Sequence, residues 1–165
     1  MKKQLTYLSL VFFMGLFLNA CVPAFAPVVQ PPSFSIRGEV EMVSVQLPLP
    51  LISKGQVVFR LPMDVYNPND FDIALNRVDF DFIVNNHLAV TSAFTSGIVV
   101  RAKGSSTVPL DVIVPLESGL ALATDIAGLV AGQSTSFALD GKVTIDVFGA
   151  LQVYAKSRLL SGTIN

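Results

Sequence analysis

Between Val57 and Tyr66 the side chains alternate without interruption: Phe59, Leu61, Met63 and Val65 share one phase, and Arg60, Pro62, Asp64 and Tyr66 take the other. Successive side chains of an extended strand point to opposite faces, so a period of two buries one face and wets the other. No helix can use that pattern. The same period returns in Val78-Asp79-Phe80-Asp81-Phe82, in residues 108–114 with Asp111 outward, and in residues 137–147 with Asp140, Lys142, Thr144 and Asp146 outward. Strands are also expected over 35–46, 88–102 and 151–160.

Turn chemistry separates these runs. Asn67-Pro68-Asn69-Asp70, Asn85-Asn86-His87, Lys103-Gly104-Ser105-Ser106 and Asp140-Gly141 all favour chain reversal. About seven short strands at this spacing predict an all-β fold, an immunoglobulin- or fibronectin-III-like β-sandwich. Residues 118–131 break the rule: Leu120, Ala123, Ala127 and Val130 recur at near-helical spacing, Ser118 can cap, and Gly132 can stop. One short helix is therefore expected between late strands.

The amino-terminal fifth is organised differently. Lys2 and Lys3 precede a mostly apolar run over 5–18, the layout of an export signal. Polar Asn19 and a proline-rich stretch follow too soon for a membrane-spanning helix, which needs about 20 apolar residues. Leu18-Asn19-Ala20-Cys21 resembles the lipobox of bacterial lipoproteins, with an aliphatic residue at -3, a small one at -1 and then cysteine; Asn19 departs at the most tolerant position. The resemblance implies a diacylglycerol thioether on Cys21, cleavage between Ala20 and Cys21, and acylation of the new amino terminus by a chain such as palmitate. Val22, not Asp, follows the cysteine, which by the same resemblance directs the protein to the outer membrane, facing the periplasm; the alternative is the outer face of the cytoplasmic membrane.

The expected organisation is thus a signal peptide over 1–20, a lipidated cysteine and proline-rich tether over 21–33, and a sandwich domain over 34–165. Pro23, Pro27, Pro31 and Pro32 make the tether semi-rigid, about 37 Å at full stretch at about 3.1 Å per residue. An alternative is that Phe25, Val28 and Val29 pack back on the domain or dip into the membrane interface.

Met63-Asp64-Val65-Tyr66-Asn67-Pro68-Asn69-Asp70-Phe71-Asp72-Ile73-Ala74-Leu75 resembles the signature of the late embryogenesis abundant type 2 family, also described as the water-stress and hypersensitive-response domain. There an apolar strand runs into Asn-Pro-Asn and a second strand follows. Pro68 holds Asn67 extended, and Asn69 and Asp70 can bond nearby amides where the chain turns. The likeness continues to the chain end, with two departures: there is no Trp, and Asn85-Asn86 stand where the family usually has a glycine-containing hairpin. The resemblance implies a non-enzymatic protein that protects or binds macromolecules under desiccation, osmotic stress or cold.

Candidate chemistry is sparse. His87 is the single histidine and falls in a turn, and Cys21 is the single cysteine. A Cys/His nucleophile or zinc site is not expected. Asn67, Asn69, Asp70 and Asp72 gather oxygen donors in one turn, but not at EF-hand spacing, and Asx turns explain them more simply. No cofactor or metal is expected, and Phe59, Phe80, Phe82 and Phe137 read as core.

Net charge is -1; without Lys2 and Lys3 the 11 basic residues fall to 9 against 12 acidic, about -3, so nucleic acid is excluded as a partner. The partners expected are the membrane, through lipid on Cys21, and unfolding client proteins. The alternative is a structural or assembly lipoprotein docked to one envelope protein.

Overall fold

The computed structural model of the protein describes residues 28–48, 54–117 and 119–165. The expected signal peptide, the cleavage site at Ala20 and Cys21, and the tether up to Pro27 lie outside the described residues, as does Ser118.

Two antiparallel sheets face each other. In the first, β3 (Gln56–Tyr66) is central: β6 (Ser105–Pro115) pairs along its whole length on one side, from Gln56↔Pro115 to Tyr66↔Ser105. On its other side lie β1 (Ser33–Ile36) and β2 (Glu41–Gln46), end to end. The second sheet has the order β5-β4-β7-β8, with β4 spanning Ile73–Val84, β5 His87–Val100, β7 Thr135–Val147 and β8 Ala150–Ile164. This is the all-β sandwich that the alternation requires, with eight strands.

The extra strand arises because residues 35–46 do not run straight. Arg37 donates to the Pro62 carbonyl at 2.8 Å, Gly38 takes φ 94°, and Val40 turns inward, buried, to form a parallel bridge with Ile164 of the other sheet. The strand is broken so that one residue can join the sheets.

The in-phase side chains meet in one core. Phe59, Leu61, Met63 and Val65 of β3 lie against Ile73, Leu75, Val78, Phe80 and Phe82 of β4 and Phe137, Leu139, Val143 and Ile145 of β7. The Phe59 and Phe82 rings sit 5.6 Å apart, and those of Phe82 and Phe137 6.0 Å apart, within the range of favourable tilted aromatic pairs.

The helix α1 (Leu120–Val130) lies between β6 and β7. Its buried stripe is Leu122, Ile126 and Leu129, while Ala127 and Val130 are exposed. The expected apolar phase was therefore displaced: small alanines satisfy a 3.6-residue period without needing burial, and the large aliphatics decide which face turns in. Gly119, not a serine side chain, stands at the N-cap, and Gly132, at φ 81°, stops the helix by donating to the Leu129 carbonyl at 2.9 Å.

Asp140-Gly141 is not a reversal. Both lie inside β7, paired with Arg158 and Ser157. A Cβ on Gly141 would come within 2.6 Å of Leu159 Cδ1 and 3.0 Å of the Asp79 carbonyl oxygen, so glycine is there for close approach rather than for a turn. The reversal comes at Phe148-Gly149.

Candidate functional site

The strands carry the described groups to two ends of the sandwich. At one end gather the Asn67–Asp72 corner, the loop at Arg101–Gly104, the Phe148-Gly149 hairpin and the start of β1. At the other lie the Asn85-Asn86 turn, α1 and the end of β8.

The corner is built on two buried asparagines. Asn67, 0% exposed, donates through Nδ2 to the carbonyls of Phe71 (2.7 Å), Val100 (3.1 Å) and Arg101 (3.2 Å). Its Oδ1 accepts from the backbone N and from Nδ2 of Asn69, each at 2.9 Å. One side chain thus closes its own turn and ties it to the β5–β6 loop. Pro68 supplies no amide, and its carbonyl accepts from Lys103 Nζ at 2.6 Å.

Asn69 reaches further than its local turn. Its Oδ1 accepts from Gln30 N at 2.8 Å, and its Nδ2 donates to Gln30 O at 2.9 Å, a two-bond clasp on a backbone 39 residues away. Beside it Tyr154 Oη donates to Val29 O at 3.2 Å. Burial raises the Tyr154 phenol above its ordinary value, which keeps the donor protonated. Val29 packs on the core and Pro32 is buried. The described part of the proline-rich stretch is therefore docked on the domain rather than standing free.

The clustered oxygens of this corner are taken up by backbone and side-chain donors of the protein. Asp72 accepts from Ala102 N at 2.8 Å, and Asp70 pairs with Lys103 at 3.2 Å. Among the described residues no buried side-chain nitrogen or oxygen lacks a partner, and no group of three or more His, Cys, Asp or Glu could hold a metal. His87 opens β5, its side chain half exposed, with Nδ1 3.1 Å from Asp125 Oδ2 on α1, where Asn85 Nδ2 also donates at 2.8 Å.

The outward acids pair with cations, mostly on neighbouring segments and, for Asp79, within β4 itself. Arg60 grips Asp111 with two bonds of 2.7 and 2.8 Å, Arg77 meets Asp79 at 2.6 Å, Arg37 meets Asp64 at 3.1 Å, Lys156 binds Asp81, and Arg158 binds Asp140. Hydrogen bonds from Arg60, Arg77 and Lys156, respectively, hold the carboxyls of Asp111, Asp79 and Asp81 below the usual range.

The sheet edges are unequal. β8 carries Lys156 and Arg158, β6 carries Pro109 and Asp111, and β2 carries Glu41. β5 runs 14 residues, His-Leu-Ala-Val-Thr-Ser-Ala-Phe-Thr-Ser-Gly-Ile-Val-Val, without Asp, Glu, Lys, Arg or Pro. Its guards are two irregularities in register, one between Leu88 and Val90 and one between Thr95 and Ile98, where Gly97 takes φ 66°.

A family model described as late embryogenesis abundant protein matches residues 63–158, beginning in the strand that leads into Asn67-Pro68-Asn69. The chain belongs to this family. The late embryogenesis abundant domain is also similar to solved structures. A solution structure from Arabidopsis thaliana is 17% identical, covering 87% of this chain and 94% of that one at TM-score 0.50. A candidate late embryogenesis abundant (LEA) protein in solution is 15% identical, covering 97% and 87% at 0.45. A crystal structure from Archaeoglobus fulgidus is 14% identical, covering 73% and 95% at 0.44. At these identities the likeness concerns the fold. Among curated proteins there is no sequence match.

The Asn67-Pro68-Asn69 signature of the LEA domain was legible in the sequence as a turn. Its grip on Gln30 was not, because nothing in the order of residues 28–32 marks which distant side chain will meet them.

Proposed function

We propose that the protein is a membrane-anchored, non-enzymatic envelope lipoprotein whose LEA type 2 domain shields other proteins during drying, osmotic shock or cold. The observation that carries the reading is the β5 edge: an uncharged strand with open backbone donors and acceptors can pair with an extended segment of a partly unfolded chain. The non-enzymatic part is supported by the polar chemistry itself, in which buried amides serve to hold backbone and the acids of the strand faces, such as Asp111 and Asp81, pair with cations. The anchor is inferred from Lys2-Lys3, the apolar run and Leu18-Asn19-Ala20-Cys21.

The experiment dries or freezes a labile enzyme with the unlipidated Cys21→Ser chain and with the same chain carrying Ala93→Lys. Ala93 is exposed on β5 and faces Asp79 across the pair, so a lysine there is tolerated by the fold while charging the edge. The expected result is retained enzyme activity with Cys21→Ser and several-fold less with the added lysine, at unchanged melting temperature. Protection no better than an equal mass of albumin would refute a protective role. In cells, crosslinking is expected to give a spread of clients; a single stoichiometric band would instead favour docking to one envelope partner.

A further inference from the structure

We propose that the end of the sandwich formed by the Phe148-Gly149 hairpin, Leu151, Val153 and Val28 is a membrane-contact tip that seats in the lipid interface. The inference rests on the anchoring proposed above and adds where the domain meets the bilayer.

The two hairpins of the second sheet make the first argument. Asn85-Asn86 joins β4 to β5 between the paired Val84 and His87, with φ 47° and 65°; Phe148-Gly149 joins β7 to β8 between the paired Val147 and Ala150, with φ 54° and 82°. Both are two-residue turns with left-handed φ at both positions, the geometry that favours Asn and Gly. One is filled by residues that suit it. The other holds a phenylalanine, 78% exposed, at a φ that bulky side chains rarely adopt. Neither turn chemistry nor the core accounts for an aromatic ring there. It touches only the flank of the fold, its ring 5.2 Å from that of half-buried Phe71.

The hairpin is not alone. On β8, Leu151 and Val153 share the outward face, paired with Asp146 and Thr144, and both are more than half exposed. Across the sheet on the same face, Ala74 and exposed Val99 continue the row. Val28 is 87% exposed, next to the Val29 held by Tyr154 of β8. Around them Asp70 pairs with Lys103, Asp72 and Asp146 accept from backbone amides, and Arg101 has no ion pair among the described residues, so the rim carries charges of both signs. An apolar tip ringed by charged side chains is a surface that a lipid interface fits, with the apolar groups at the acyl boundary and the charges among the headgroups.

The leash settles which occupant the patch meets. The described chain arrives at this end at Val28, fixed by the clasp of Asn69 on Gln30. Seven residue steps separate Val28 from Cys21, at most about 25 Å of chain at about 3.6 Å each. β7, with 13 residues, is about 40 Å long at about 3.3 Å per residue. A lipid on Cys21 can therefore bring the Phe148 end to the bilayer, while the Asn85-Asn86 end stays a strand length away.

The test uses the absence of Trp in the chain. Phe148→Trp places a single indole at the tip of the full lipidated protein, and Leu88→Trp places one on exposed β5 at the opposite end. Each is incorporated into vesicles of phosphatidylethanolamine and phosphatidylglycerol containing brominated lipid. The expected result is co-flotation of both, with emission from the tip indole blue-shifted and quenched about twofold or more and emission from the β5 indole unquenched. Co-flotation with equal quenching at both positions overturns the tip and leaves the anchor standing. Failure of the chain to float overturns the anchor and the tip with it. A lipid-free Cys21→Ser/Phe148→Trp chain that already shows the blue shift as a dimer overturns the tip in favour of a contact between two copies.

Discussion

Asn67 shows how much a single amide can hold. It satisfies three carbonyls and two donors in a fully buried place, so Asn67→Ala leaves several of them unpaired and is expected to destabilise the fold by about 2–4 kcal/mol. Urea unfolding measures this, and a loss under about 1 kcal/mol would mean that water replaces the side chain. Asn69→Ala should cost less, about 1–3 kcal/mol, and its mark is local: amide exchange at Gln30 quickens while that of the core strands does not, because the clasp is what pins that backbone. At Phe148 two effects oppose. Phe148→Asn relieves the left-handed strain, about 1 kcal/mol, and gives up the Phe71 ring contact, about 0.5–1.5 kcal/mol, so stability is expected to stay within about 1 kcal/mol of the parent.

At the scale of strands, the ion pairs on the sheet faces and the close sheet contacts behave differently. Asp79, Asp81 and Asp111 ionise more readily folded than unfolded, first through hydrogen bonds from Arg77, Lys156 and Arg60. Their contribution is therefore complete above the ordinary carboxylate value, about 3.9, and is lost as pH falls through the depressed folded values. All three are solvated, so the effect is small and weakens with salt. Denaturation midpoints followed from pH 6 to pH 3 should fall less steeply in an Asp81→Asn/Asp111→Asn chain; an unchanged slope would show that these pairs add nothing. Gly141→Ala is the steric counterpart. The added methyl meets the Leu159 side chain, which must turn aside, and the Asp79 carbonyl of β4, from which β7 must part slightly, with an expected loss of about 1–3 kcal/mol.

For the whole molecule, the docked segment before β1 makes the domain larger than its strands. A chain starting at Ser33 loses the Gln30 clasp, the Tyr154 bond to Val29 and the burial of Pro32. It should be less stable by about 1–3 kcal/mol than the Cys21→Ser chain, and equal midpoints would count against the docking. Much of this architecture was already written in the sequence. Period-two alternation fixed which side chains of β3, β4, β6 and β7 face inward, because a one-residue slip would wet the whole core set, and the Asn67-Pro68-Asn69 motif marked both the corner and the family. Asp140-Gly141 misled because glycine serves tight turns and close strand contacts alike, and only the position of Leu159 distinguishes them. The phase of α1, the break at Gly38 that lets Val40 reach Ile164, the clasp of Asn69 on Gln30 and the gathering of Phe148, Leu151, Val153 and Val28 at one end all depend on residues far apart in the chain. Local pattern determines which face of a strand is apolar. Tertiary packing alone decides which distant backbone a buried amide holds and which end of the sandwich the amino-terminal segment leaves from.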